Sequence, residues 1–322
     1  MTASTDIAIE AMAIATLLLN FGFAALVGAV LTRWHISAST ATTTSASTWS
    51  RSRDRRLRQL IFVSSAGVLT MLLVVLVLET ATMAEVHWHE VSSSIADVLT
   101  STHFGHMWLA SVGIVAFNTL LHLPAQASRR RAVLSMIVLA IFAISRSLVS
   151  HAVAAGAFSW QVGIDAAHLL LVSVWLGEVL IAGVIMLRTP CGPALDDRRE
   201  CGGYVMQLST SATIALAVIV VTGLINSWRG MGSAGNLSVL TNSAWGWILL
   251  FKVGGVAIAA MLGALNRWGA MPNFLLHLRS SSLASVPAQR RFALTLQIES
   301  VILTAVLLAA AMLSSSAPPA SL

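Results

Sequence analysis

Residues 146–178 read RSLVSHAVAAGAFSWQVGIDAAHLLLVSVWLGE. Two apolar runs are joined by an uncharged turn, yet Arg146, His151, Asp165, His168, Trp175 and Glu178 lie inside them or at their edges. A charged side chain at membrane depth costs a few kcal/mol on insertion scales, so it faces a protein interior and marks function by default. The rest of the chain reads as a membrane domain built around this hairpin.

Composition agrees. The chain is 57% hydrophobic and 10% charged, with mean hydropathy +0.82, against about 25% charged in a soluble domain. Several apolar runs exceed the roughly 18 residues that mark a transmembrane helix. The net charge of +6 is therefore no nucleic-acid signal. Nearly every basic residue is Arg, Lys252 being the one Lys, and most lie in loops, where they set orientation.

Eight spans are expected, at about 7–31, 59–83, 104–123, 132–152, 162–187, 205–228, 244–266 and 293–313. No basic residue precedes the first, so it reads as a retained helix rather than a signal peptide. Residues 32–58 read as a flexible Ser/Thr/Ala-rich linker ending in RSRDRRLR. The stretches 32–58, 124–131, 188–204 and 267–292 together hold sixteen of the nineteen basic residues. Under the positive-inside rule they are cytoplasmic. The expected fold is thus an all-α polytopic membrane bundle of eight helices. It forms one integral domain over residues 1–322, with both termini on the outer side. Cys191 and Cys201 fall in a cytoplasmic loop, where reduced thiols are the rule, with transient metal hand-off as the alternative. Met136, Met186, Met206 and Met261 read as core filler, or as a soft thioether path for a monovalent metal.

Sidedness gives the polar residues meaning. His87 and His89, with Met83, Glu85 and Glu90, lie in the first outer loop; His103, His106 and Met107 open the third span; His151 ends the fourth. His103 and His106 are at i, i+3 and share a helical face; His87 and His89 alternate and share a face in an extended loop. Imidazole, thioether and carboxylate together suit copper. Alternatively, His and Trp here belong to the interfacial belt. His35, His122 and His277 sit at the inner face beside the Arg-rich loops.

Glu79, Arg146, Asp165 and Lys252 occupy the outer third of spans two, four, five and seven, and acids and bases at one depth pair. They form either a structural network that holds the helices or a polar vestibule beneath the histidines. On the fifth span Gln161, Asp165, His168, Val172 and Trp175 form one stripe, with His168 roughly 9 Å below the outer helix start. Glu178 is deeper and off this stripe, with Glu299 or Asn266 as the nearest candidates for a partner.

Six short motifs in order resemble the CopD family of copper-resistance membrane proteins. They are SHA at 150–152, DAAHLLLVSVWLG at 165–177, TGLIN at 222–226, WGWILLFKV at 245–253, ALNR at 264–267 and IES at 298–300. The resemblance covers about residues 100–319. The chain departs from the family pattern at Glu178, where Gly follows WLG, and at Trp245-Gly246, where Tyr-Gly is common. The resemblance implies copper handling, with inward movement across the inner membrane beside a small periplasmic copper-binding protein of the CopC type. It also makes the outer side, which holds both termini, the periplasmic side of a bacterial inner membrane.

Three functions are compatible with these residues. In the first, His87, His89, His103 and His106 capture a copper ion and His151 and His168 pass it inward, with Asp165, Arg146 and Lys252 shaping the path. No nucleotide-binding GxxxxGK[ST] is present, so a gradient or sequestration inside drives the movement. In the second, His151 and His168 on neighbouring helices ligate b-type haem. In the third, the outer histidines form a copper-dependent active site at the membrane surface.

Overall fold

A computed structural model describes residues 2–40, 47–124, 128–150, 156, 159–230, 241–280 and 284–314. Among these the fold is helical, without strands. The helices are α1 (Thr2–Thr40), α2 (Thr48–Ala84), α3 (Ile95–Ser101), α4 (His103–Leu121), α5 (Arg129–Ser147), α6 (Trp160–Ile181), α7 (Leu195–Gly230), α8 (Ala244–Leu265), α9 (Met271–Arg279) and α10 (Ser285–Ser314). Short π-helical segments, Ala182–Met186 and Asn266–Ala270, continue α6 and α8. Seven helical stretches are long and apolar enough to cross a membrane. The exception among the eight expected spans is α5, which has 19 residues, opens on Arg129, Arg130 and Arg131 and carries Arg146 in its last turn. Large apolar side chains such as Val63, Leu224 and Val301 are about two-thirds exposed, as a lipid-facing surface requires.

Side-chain contacts sort the helix ends. At one end meet the C-terminal parts of α1, α4 and α6 and the N-terminal parts of α2, α5, α7 and α10. Arg33 of α1 clasps Asp54 of α2 through two nitrogens, at 2.7 and 3.2 Å. Arg53 of α2 donates to the carbonyls of Met186 and Thr189, at 2.8 and 3.0 Å. The amide of Gln289 on α10 holds the carbonyls of Leu187 and Thr189. This is the arginine-rich end. At the other, Trp108 of α4 donates to the Leu72 carbonyl of α2, and His103 reaches the Leu148 carbonyl beyond α5.

The stretch 32–58 differs from the loose linker expected. Helix α1 runs to Thr40 and α2 starts at Thr48, on either side of residues 41–46, which lie outside the described residues. Ser47 caps α2, and α7 reinforces that cap. Asp197 accepts the Trp49 N–H at 2.9 Å, and Glu200 accepts both the N–H and the hydroxyl of Ser47. Carboxylates at a helix N-terminus meet its orphan N–H groups and its positive dipole end. A distant acidic turn thus orders a segment whose own composition is weakly structured.

The hairpin of residues 146–178 is not the centre of the bundle. That position belongs to α1, which packs against α2, α5, α6, α7 and α10. Its backbone comes against that of α6. A Cβ on Gly177 would lie 2.0 Å from the Ala24 carbonyl oxygen, and one on Gly28 2.4 Å from the carbonyl carbon of Gly177. Only glycines permit this backbone contact, which is how membrane helices associate without a hydrophobic drive between them. Beyond α6, Cys191 and Cys201 form a disulfide, with Cα atoms 6.3 Å apart, in place of the expected free thiols. The first turns of α7 fold the second cysteine back onto the loop that Arg53 and Gln289 anchor.

Candidate metal-handling site

The polar residues gather into separate groups along the bundle. At the histidine-bearing end, the His87 and His89 rings stack with centroids 5.4 Å apart, and His89 lies 3.6 Å from the Glu90 carboxylate. Both rings are exposed. His103 Nε2 is 3.0 Å from the Leu148 carbonyl and His106 Nε2 is 3.1 Å from the Thr100 carbonyl. A carbonyl only accepts, so each Nε2 carries the proton and each Nδ1 keeps its lone pair. Metal-ligating imidazoles are oriented in this way. The two rings are held by different backbone segments, so their i, i+3 spacing does not by itself bring them onto one ion. Among the described residues no three His, Cys, Asp or Glu side chains converge on a metal position. His151 lies outside the described residues.

The four charges expected to form one network divide into two couples. Glu79 of α2 interacts electrostatically with Arg146 of α5. Asp165 of α6 interacts with Lys252 of α8, and Ser150 donates to Asp165 at 3.0 Å. Lys252 also lies within the electrostatic reach of His168. His168 Nδ1 is 2.9 Å from Thr222 Oγ1 of α7. The Thr222 hydroxyl spends its one hydrogen on the Val218 carbonyl, 2.8 Å away, so it accepts from His168. Nδ1 therefore carries the ring proton, and Nε2 keeps its lone pair. The ring packs over Gly223, where a Cβ would come within 3.3 Å of Cε1.

Glu178 is fully buried, and its partners are not Glu299 or Asn266. His35 Nδ1 of α1 lies 3.2 Å from Glu178 Oε1, and the Ser211 hydroxyl of α7 donates to Oε2. The reason is the glycine contact: Gly177 presses α6 onto α1, and His35 follows Gly28 by two turns on that face. Tyr204 closes the pocket, its ring 6.5 Å from His35 and 6.1 Å from Trp49. Nearby, Arg33 donates to His122 Nδ1 at 3.0 Å, and His122 Nε2 donates to Ser135 Oγ at 3.1 Å. Burial, then Arg33 and Arg131, push the His122 ring down to about pKa 4.

Sequence spacing also gave no sign of a group formed by Trp175, Asn266 and Glu299. Trp175 Nε1 donates to Glu299 Oε1 at 2.8 Å. Both residues and Asn266 line a cavity of about 190 Å³. The one hint was that each belongs to a separate short motif: WLG, ALNR and IES.

Residues 4–162 match the family described as Copper resistance protein D-like, N-terminal domain, and residues 203–313 match Copper resistance protein D. The chain belongs to the copper resistance protein D family. No curated protein and no solved structure matches it. Most of α6 falls between the two matched segments of this copper resistance D protein, and α6 carries His168, Trp175 and Glu178. Through Glu178 it bonds α1 and α7, and through Trp175 it bonds α10.

Proposed function

We propose that this copper resistance D protein moves copper ions across the bacterial inner membrane, from the periplasmic face toward the cytoplasm, as a transporter rather than an enzyme. The reading takes the arginine-rich end as cytoplasmic and counts α5 as the eighth span. At about 1.5 Å per residue, 19 residues approach the roughly 30 Å of hydrocarbon. Both termini are then periplasmic, and so are His87, His89, His103 and His106. These exposed imidazoles collect the ion, which a small CopC-like copper-binding protein delivers. His151 and His168 take it inward. Glu79, Arg146, Asp165 and Lys252 hold the helices around the path, and Glu178 fixes α1 against α6.

The observation that carries this reading is His168. It sits one turn below Asp165, with Nδ1 bound to Thr222 and Nε2 free, as a ligand imidazole must be. Copper here is cargo, and the mixed imidazole and thioether set suits it.

The test is copper uptake into proteoliposomes, with metal content measured on the purified protein. Wild type is expected to accumulate copper, and His168→Ala is expected to lose both bound copper and uptake. Uptake and copper content unchanged in His168→Ala overturns the role of His168. A haem absorption band in the purified protein points instead to a redox protein. Copper binding without uptake points to an enzyme or a storage site.

A further inference from the structure

Glu299 and Asn266 line a cavity that copper capture does not use. Glu299 is buried, and among the described residues no cation lies within ion-pair distance of it. One of its oxygens, Oε1, accepts from Trp175. Asn266 is 4% exposed and its Oδ1 has no hydrogen-bond partner among the described residues. An unsatisfied buried acceptor costs about 1–3 kcal/mol, so its persistence asks for a donor. The two side chains line the same cavity. A Cβ on Gly263 would lie 3.4 Å from Glu299 Oε1 and 3.8 Å from Oε2. Asn266 is three residues beyond Gly263 and so on the same face of α8. A π-helical segment begins at Asn266, and such bulges occur mostly at functional sites.

The cavity they share is about 190 Å³, well above the roughly 10–15 Å³ that one water needs. Its wall includes Trp268, which is 77% exposed, so it reaches the surface of the bundle near the arginine-rich end. Arg267 is the one other charged residue on the wall. Its guanidinium is engaged with the carbonyl and hydroxyl of Ser209 and the hydroxyl of Thr213, at 2.7–3.0 Å. Those hydroxyls are therefore not free ligands. What remains is one carboxyl and one amide oxygen, too few for a hard metal cation that takes about six oxygens, with a single thioether from Met271. A proton needs only this pair. Once on Glu299, it leaves Oε1 accepting from Trp175 and supplies an O–H for Asn266.

We propose that Glu299 is a proton-binding carboxyl, with Asn266 as the acceptor for its O–H, and that this proton is the ion coupled to copper movement. The coupling rests on the transport reading above; the proton site does not.

The first experiment needs no copper. Dicyclohexylcarbodiimide reacts with protonated carboxyls in apolar surroundings. The carboxyl proton moves to one carbodiimide nitrogen and the carboxylate oxygen adds to the central carbon. Acyl transfer to nitrogen then leaves a stable adduct, heavier by one reagent molecule. In the whole protein in vesicles, mass spectrometry is expected to find Glu299 labelled at acidic pH and progressively less as pH rises. Asn266→Leu is expected to move that profile to a different pH. Labelling that is absent, indifferent to pH or suppressed by sodium ions overturns the proton site.

The second experiment is copper uptake driven by an imposed pH gradient. Glu299→Gln is expected to reduce it to the level of empty vesicles while the purified protein still binds copper. Undiminished gradient-driven uptake in Glu299→Gln overturns the coupling. If wild type itself takes up no copper, the transport reading falls and the pH-dependent labelling still stands.

Discussion

His35 Nδ1 lies 3.2 Å from Glu178 Oε1, joining the first helix to the middle of the bundle where neither residue meets solvent. A histidine near the end of an apolar span and a glutamate following a short WLG motif are unrelated by sequence spacing. Their meeting ties α1 to α6 and, through Ser211, to α7. It makes Glu178 a structural residue of the bundle before it is anything else.

That contact predicts strong energetic coupling. His35→Ala and Glu178→Gln should each lower the midpoint of thermal unfolding in detergent. The double variant should lose less than the sum of the two, with an interaction term of about 0.5–3 kcal/mol. Strictly additive losses count against a direct pairing. His87→Ala and Glu178→Gln, which share no partner, provide the additive control.

The close approach of α1 and α6 gives a steric prediction. Gly177→Ala places a methyl 2.0 Å from the Ala24 carbonyl oxygen, and backbone cannot move aside as a side chain would. Overpacking of that kind should cost about 3 kcal/mol or more. Gly254→Ala, where nothing lies within 4 Å, should be neutral or mildly stabilising. Chemical denaturation of the two variants in the same detergent compares them directly. A tolerated Gly177→Ala would falsify the backbone contact.

His122 makes stability depend on pH in a defined window. Its ring is lowered from 6.5 to about 4 in the folded protein, mainly by burial and then by Arg33 and Arg131. Below about pH 6.5 the unfolded chain binds a proton that the folded protein refuses, so stability falls from there down to about pH 4. The full effect is on the order of 3 kcal/mol. His122→Gln should show a flatter profile over that window, measured as unfolding midpoint against pH. An identical profile in the variant assigns the acid sensitivity to other groups.

The hydrogen bond between Thr222 and His168 separates a ligand from a packed histidine. If His168 holds copper through Nε2, Thr222→Val removes the group that orients the ring. Copper affinity should then fall about 10–100-fold, while Thr222→Ser, which keeps the hydroxyl, should retain most of it. Competition titration against a copper chelator measures both. Equal affinity in the Val variant shows that the bond serves packing alone.

Much of the fold was legible in local quantities. Seven of the expected spans appear as long apolar helices, because length and hydropathy within one helix decide membrane insertion without reference to other helices. The arginine distribution marked one end of the bundle for the same reason. Helix α5 shows the limit, since its own arginines take it out of that class although α4, of equal length, belongs to it. The stretch 32–58 shows another: its helices end and begin where α7 supplies caps for α2 from far along the chain.

The sequence by itself thus determined that this is a multi-pass membrane protein of the copper resistance D family with polar residues at membrane depth. Tertiary structure alone decided which of them meet. It split the expected four-charge network into Glu79 with Arg146 and Asp165 with Lys252. It gave Glu178 to His35 and brought Trp175 to Glu299 across 124 residues. Helical spacing specifies the face on which a side chain lies. The neighbour that face meets depends on how helices pack, and for His35 and Glu178 that was set by glycines that let two backbones touch.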